Sequence, residues 1–193
     1  AELAELLAGE SEQRTPRVVL AGGICNEVSS AFVQGMTAAL TRKAVFGIQI
    51  GTALLLTREA AAVGSLALYQ RRLLEARETI VVGRSVGLRT RTLRNGFTAS
   101  LQAQETESGA LEERRQRFEE ANLRALRIAA RGRDGDACIP DDLRQRAGNY
   151  LTGDAAILFD SAVAMSDLLS RLFEVPARKL ESRRARLAAD PVS

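Results

Sequence analysis

Two glycine corners carry the residues of this sequence that are best placed to do chemistry. Ala21-Gly22-Gly23-Ile24 closes one short apolar run, and Gln49-Ile50-Gly51-Thr52-Ala53 closes a second. Glycine tolerates φ above zero and lets main-chain N–H groups approach a ligand closely. Each corner leads into a helix-like stretch, where the first N–H groups lack intrahelical acceptors and favour an anion. Two neighbouring corners could grip one phosphate from both sides, with the Thr52 hydroxyl as an extra donor. The plainer alternative is that Gly-Gly and Gly-Thr only turn the chain.

The other candidates are thinner. Cys25 stands beside the first corner at a helix start, where a thiol pKa can fall; a small buried residue is the simpler reading. Asp134-Gly-Asp-Ala and Asp141-Asp142 lack the spacing of a calcium loop and read as a turn and a helix start. Arg84, Arg89, Arg91 and Arg94 suit a phosphorylated substrate or carrier arm, although surface ion pairs explain them more simply.

Composition removes whole classes of chemistry. The 193 residues contain no histidine, so no His base, His metal site or Ser-His-Asp triad exists within the chain. With only Cys25 and Cys138, a disulfide framework or a four-thiolate zinc site is excluded, and no metal is expected. All 27 basic residues except Lys43 and Lys179 are arginine, for a net charge of +3. Those arginines alternate with Glu and Asp along Leu111 to Asp142 and lack an aromatic stacking platform, so no nucleic-acid partner is expected. No apolar run reaches the roughly 18 residues of a membrane helix. The opening Ala-Glu-Leu-Ala-Glu-Leu-Leu carries acid rather than the base of a leader peptide, which points to a cytoplasmic chain.

The elements that must position the corners follow from periodicity. Ala1 to Gly9 reads as a short helix. Arg17 to Ala21 and Val45 to Ile50 are short, β-branched and apolar, and read as buried strands. Between them Asn26 caps a helix from Glu27 to Arg42, with Val28, Phe32, Val33, Met36 and Leu40 on one broad face. A further helix runs from about Thr57 to Arg77. Strands alternating with helices imply parallel βα units with both sheet faces covered, an α/β fold. Thr79 to Val82 is a weaker strand, Gly83 to Phe97 a loop, Glu105 to Arg131 a long solvated helix, and Gly132 to Cys138 a turn. Pro140 opens another helix. Ser161 to Phe173 reads as the last one, with a charged, fraying tail after Pro176.

Three segments resemble the C-terminal half of the nitronate monooxygenase family, formerly the 2-nitropropane dioxygenases. That family is similar to the flavin-dependent enoyl-acyl-carrier-protein reductases. Val18-Val-Leu-Ala-Gly-Gly-Ile24 is similar to the family's seventh strand and its corner. Gly47-Ile-Gln-Ile-Gly-Thr-Ala-Leu-Leu-Leu-Thr-Arg-Glu-Ala60 resembles the eighth strand and the helix after it. Thr79-Ile-Val-Val-Gly-Arg-Ser-Val-Gly-Leu-Arg-Thr-Arg-Thr-Leu-Arg-Asn-Gly-Phe97 resembles the segment after the barrel. A weaker match is Ala147-Gly148-Asn149, where the family often has Ala-Gly-Gln.

The resemblance implies an FMN-dependent (β/α)8 TIM barrel, of which this chain holds the C-terminal portion, the last two βα units, plus a helical C-terminal extension. It implies that Gly22, Gly23, Gly51 and Thr52 hold the FMN phosphate, that Gln49 sits close to the cofactor, and that Gly148 and Asn149 lie in a loop near the flavin. The chain departs from the pattern at Cys25-Asn26-Glu27, where the family has a small residue, Asp and Gly, and at Asn149. Residues 1–80 would be the last two βα units, 81–175 a post-barrel loop and helical cap, and 176–193 a charged tail. A whole barrel takes about 250 residues, so the chain is expected to be a piece of a longer protein, with the catalytic residues outside it. The implied activity is oxidation of alkyl nitronates with O2. The alternatives are an enoyl-thioester reductase using NAD(P)H and a non-catalytic phosphate-ligand module; the implied substrate is a small molecule or an acyl thioester.

Overall fold

Two short apolar runs make the first sheet of this computed structural model, which describes residues 15–189. The helix expected over Ala1 to Gly9 lies outside the described residues. β1 (Arg17–Ala21) and β2 (Val45–Gln49) pair in parallel, in register from Arg17↔Val45 to Ala21↔Gln49. The connection is α1 (Glu27–Thr37) with a tight turn, Ala38–Leu40, at its end. The expected β-α-β arrangement is therefore present.

Its burial differs from the expectation. Val18, Leu20, Phe46 and Ile48 are half-buried on one sheet face, whereas Val19 and Val45 on the other are 63% and 58% exposed. Among the described residues, only one face of the sheet is covered. On α1, Val28, Phe32 and Met36 are also exposed, at 60–70%. The inward face is instead Ser30, Val33, Gln34 and Thr37, which line a cavity of about 540 Å³ with Leu20, Phe46 and others.

The chain divides into two compact units. One holds the described residues up to Gly51 and those from Met165 onward; the other is Thr52–Ala164. The first unit closes with helices Met165–Leu169 and Val175–Ala189, joined by one wide π turn, Ser170–Glu174. The helical region thus starts later than Ser161 and runs on through the stretch expected to fray. Pro176 explains the wide turn. It has no N–H to give the Leu172 carbonyl four residues back. The Ser30 hydroxyl donates to that carbonyl instead, and Gln34 Nε2 reaches it at 3.4 Å.

In the second unit α2 (Thr52–Leu55) precedes the helix expected from Thr57 to Arg77; a first break separates it from α3 (Arg58–Ala62), and a second divides the expected helix into α3 and α4 (Gly64–Leu74). Val63 leaves the helical region at ψ 94° and Gly64 follows it, which ends α3. Buried Gln70 pins the first break, with Nε2 donating to the Leu55 and Thr57 carbonyls at 2.8 and 2.6 Å. β3 (Thr79–Val82) pairs antiparallel with β4 (Thr90–Leu93), a strand inside the stretch expected to be loop. α5 (Gly96–Gln104) precedes α6 (Leu111–Arg131), so the long helix starts later than Glu105. A two-residue hairpin, Arg133–Asp134 with Ala137–Cys138, leads to α7 (Asp141–Ala147).

One core of this unit joins Leu56, Tyr69, Leu73, Leu93, Ala129, Tyr150 and Ala156, with the Tyr69 and Tyr150 rings edge to face at 5.0 Å. A second joins Ile80, Val82, Val86, Leu101 and Phe118. No helix among the described residues is long and apolar enough to cross a membrane.

Candidate functional site

The parallel register decides where the glycine corners fall. Ala21 stands opposite Gln49, so Gly22-Gly23 and Ile50-Gly51 leave the same end of the sheet side by side. Gly22 and Gly23 hold φ of +90° and +70°, which an L-residue adopts only under strain. A Cβ added at Gly22, Gly23 or Gly51 meets no atom within 4 Å. Among the described residues no packing accounts for the glycine at Gly51, whose φ is not positive. Gln49 is exposed and shares its sheet face with Val19 and Val45.

The segment after Gly23 is built to start α1. Ile24 and Cys25 are buried, and Asn26 caps the helix: its Oδ1 accepts the Ser29 N–H at 2.9 Å, while Ser29 Oγ accepts the Asn26 N–H at 3.1 Å. This takes up one of the free N–H groups expected for an anion. Burial pushes the Cys25 thiol above its ordinary pKa, only partly offset by a hydrogen bond with Ser29. A reactive, low-pKa Cys25 is thus not what the structure provides. The second corner leads into α2, a single turn of four residues. Its dipole is small, so any anion affinity there rests on main-chain N–H groups and the Thr52 hydroxyl.

Thr52 opens the second unit. Its Oγ1 accepts the Gly153 N–H at 2.8 Å and lies 3.5 Å from Thr152 Oγ1. Gly148 is buried where an added Cβ would fall 2.7 Å from the Arg144 carbonyl and 3.0 Å from Ala129 Cβ. Asn149 is fully buried. Its Oδ1 accepts from the Thr92 hydroxyl, its Nδ2 donates to Asn122 Oδ1 at 2.5 Å, and its N–H donates to the Ala125 carbonyl at 2.9 Å. Both residues thus have a packing role that their sequence match did not indicate.

Of Arg84, Arg89, Arg91 and Arg94, the last two are held in surface ion pairs. Arg91 pairs with Asp154 at 2.9 Å and Arg94 with Glu78 at 2.7 Å. Arg124 holds the Asp134 carboxyl below its ordinary pKa, through a hydrogen bond first and charge second. Asp141 and Asp142 lie in the first turn of α7, as a helix start requires.

The family assignment rests on the match of the whole stretch. The sequence model of the nitronate monooxygenase family matches residues 14–174, a span that contains both corners and the Gly148-Asn149 loop. The chain belongs to the nitronate monooxygenase family. No curated protein sequence matches it significantly. Among solved structures, FabK from Thermotoga maritima is similar at 20% identity and a TM-score of 0.55, over 96% of this chain and 60% of that one. A point mutant of that FabK gives 20% identity and a TM-score of 0.53, over 89% and 44%. At such identity the likeness shows a shared fold. This nitronate monooxygenase family chain spans about 60% of the FabK chain's length.

Proposed function

We propose that this chain carries the phosphate end of an FMN site in an oxidoreductase of the nitronate monooxygenase type, oxidising alkyl nitronates with O2. The observation that carries the reading is the pair of corners: side by side at one sheet end, each with open space before its glycine, inside the stretch matched by the family. Those features fit a phosphate. Main-chain N–H groups at Gly22, Gly23 and Gly51 are free of a Cβ screen, and Thr52, next in the chain, adds a hydroxyl. Bound FMN would supply the electron-carrying chemistry. This chain's own share is to bind the phosphate and orient the cofactor, with Gln49 beside it.

Gly148 and Asn149 we assign to holding the C-terminal loop rather than to touching the flavin. The Asn149 amide is committed to Thr92 and Asn122 and has no exposed surface. The catalytic residues of that activity would come from outside this chain. The open sheet face at Val19 and Val45 agrees with a role as the last two βα units of a longer barrel, whose remaining strands would cover it.

The test is the colour and turnover of the protein containing this chain. It should purify yellow, with flavin absorbance near about 450 nm, and take up O2 with a nitronate in the absence of NADH. NADH oxidation driven by an enoyl thioester would instead identify an enoyl-thioester reductase. A colourless preparation that FMN does not reconstitute would reject both and leave a phosphate-ligand module.

A further inference from the structure

We infer that Gly153 is a positioning residue for the cofactor phosphate, acting through the Thr52 hydroxyl; this rests on the reading of Thr52 as a phosphate donor. A threonine hydroxyl has one proton and two lone pairs and rotates to suit its neighbours. In this chain Thr52 Oγ1 accepts the Gly153 N–H at 2.8 Å. Among the described residues its other hydrogen-bond neighbour is Thr152 Oγ1 at 3.5 Å, a long contact that leaves its proton available to a closer acceptor. One lone pair is therefore fixed by a main-chain N–H, and the proton is left to point elsewhere. Accepting a hydrogen bond also makes the hydroxyl a better donor. The arrangement prepares Thr52 to give a hydrogen bond to an anion, not to receive one.

The N–H that does this is itself held rigidly. Residues 149–152 run beside β4. The Thr92 hydroxyl and the Leu93 N–H donate to the Tyr150 carbonyl at 2.9 and 3.1 Å, and the Thr152 N–H donates to the Arg91 carbonyl at 3.2 Å. The Tyr69 hydroxyl donates to the Leu151 carbonyl at 2.8 Å. Buried Asn149 ties the start of the segment to α6. The segment thus functions as a strut from the core of this unit to Oγ1 of Thr52.

Gly153 permits a clean test. Its φ of −86° suits proline, and a Cβ there meets only Thr52 Oγ1 at 3.7 Å and the Ala155 N at 3.9 Å, ordinary contacts. Gly153→Ala keeps the N–H. Gly153→Pro removes it and puts Cδ against the hydroxyl. In the protein containing this chain, binding of FMN and of riboflavin, which lacks the phosphate, is titrated by flavin fluorescence. Gly153→Pro should weaken FMN about tenfold and leave riboflavin unchanged, while Gly153→Ala matches wild type for both. In a Thr52→Val background, Gly153→Pro should add nothing. Equal loss of FMN and riboflavin, or a full additive loss in the Thr52→Val background, would overturn the inference. If Thr52→Val leaves the preference for FMN intact, the phosphate reading of Thr52 fails first and the inference with it. The wild-type protein gives a second readout that needs no variant. The Gly153 amide proton should move downfield on binding FMN but not riboflavin, because a hydroxyl donating to phosphate accepts more strongly; identical shifts with both ligands overturn the proposal.

Discussion

Gly51→Ala separates the cofactor reading from ordinary backbone effects. Gly51 has no positive φ, and an added Cβ touches nothing within 4 Å. The ligand-free protein should therefore accept alanine, with stability changed by less than about 0.5 kcal/mol. If a phosphate lies against this backbone, the new methyl occupies its space and a charge-assisted hydrogen bond is stretched or lost. Such a bond contributes about 1.5–3 kcal/mol, so the FMN dissociation constant should rise about 10- to 100-fold. Gly22→Ala supplies the contrast. At φ +90° it should cost about 1–2 kcal/mol of stability from backbone strain alone, besides any loss of FMN. The assay pairs the denaturant midpoint of each variant with FMN and riboflavin titrations. Wild-type FMN affinity in Gly51→Ala would refute the placement of the phosphate at this corner.

Further outcomes follow from the second unit and from the thiols. Gly83 and Gly87 share φ near +79° and +75°, but a Cβ at Gly83 would fall 2.4 Å from the Leu88 carbonyl and 2.6 Å from the Phe118 ring, while Gly87 is open. Thermal melts should show Gly83→Ala losing about 2 kcal/mol or more beyond Gly87→Ala, through overpacking. Arg144 is buried with its guanidinium donating to the Ala129 and Ser65 carbonyls; Arg144→Met should cost about 1–3 kcal/mol in denaturant titration by removing that donor from both. Exposed Cys138 should be alkylated readily and buried Cys25 only on unfolding, as mass spectrometry after a short reagent pulse can check. Burial raises Cys25 above its ordinary value of 9.0 and raises Tyr69 further. The unfolded state therefore releases these protons first, and stability should fall as pH rises beyond about 9; Cys25→Ala should flatten the start of that decline in pH-dependent melts.

The parts of the fold legible in the sequence are those written in local pattern. Arg17–Ala21, Val45–Gln49 and the Asn26 cap were readable because a short β-branched run and an Asn-x-x-Ser cap need no distant partner. The same cap recurs at Asn95 and Thr98, and reading it would have found α5. β4 was hidden because exposed Arg91 and Arg94 flank its buried Thr92 and Leu93, and strand character there depends on pairing with β3. The outward turn of Val28, Phe32 and Met36 was not legible at all. An apolar stripe marks a face that wants cover, and it does not say which of two neighbouring stripes the rest of this chain supplies.

The candidate site divides in the same way. Glycines at strand ends announce themselves, since the residue type states the geometry. Asn149 shows the opposite limit. A polar amide beside a glycine looks like a ligand-binding group, yet its burial commits both its ends to Thr92 and Asn122. A buried amide left without partners would cost about 1–3 kcal/mol, so turning Asn149 toward a ligand would have to offset that loss and free the strut it anchors. The Thr52–Gly153 contact spans 101 positions, and a hydroxyl accepting a main-chain N–H needs no particular residue type on the donor side. For that reason a residue that orients the site can be any residue at all, and its effect should be sought in the difference between FMN and riboflavin rather than in sequence pattern.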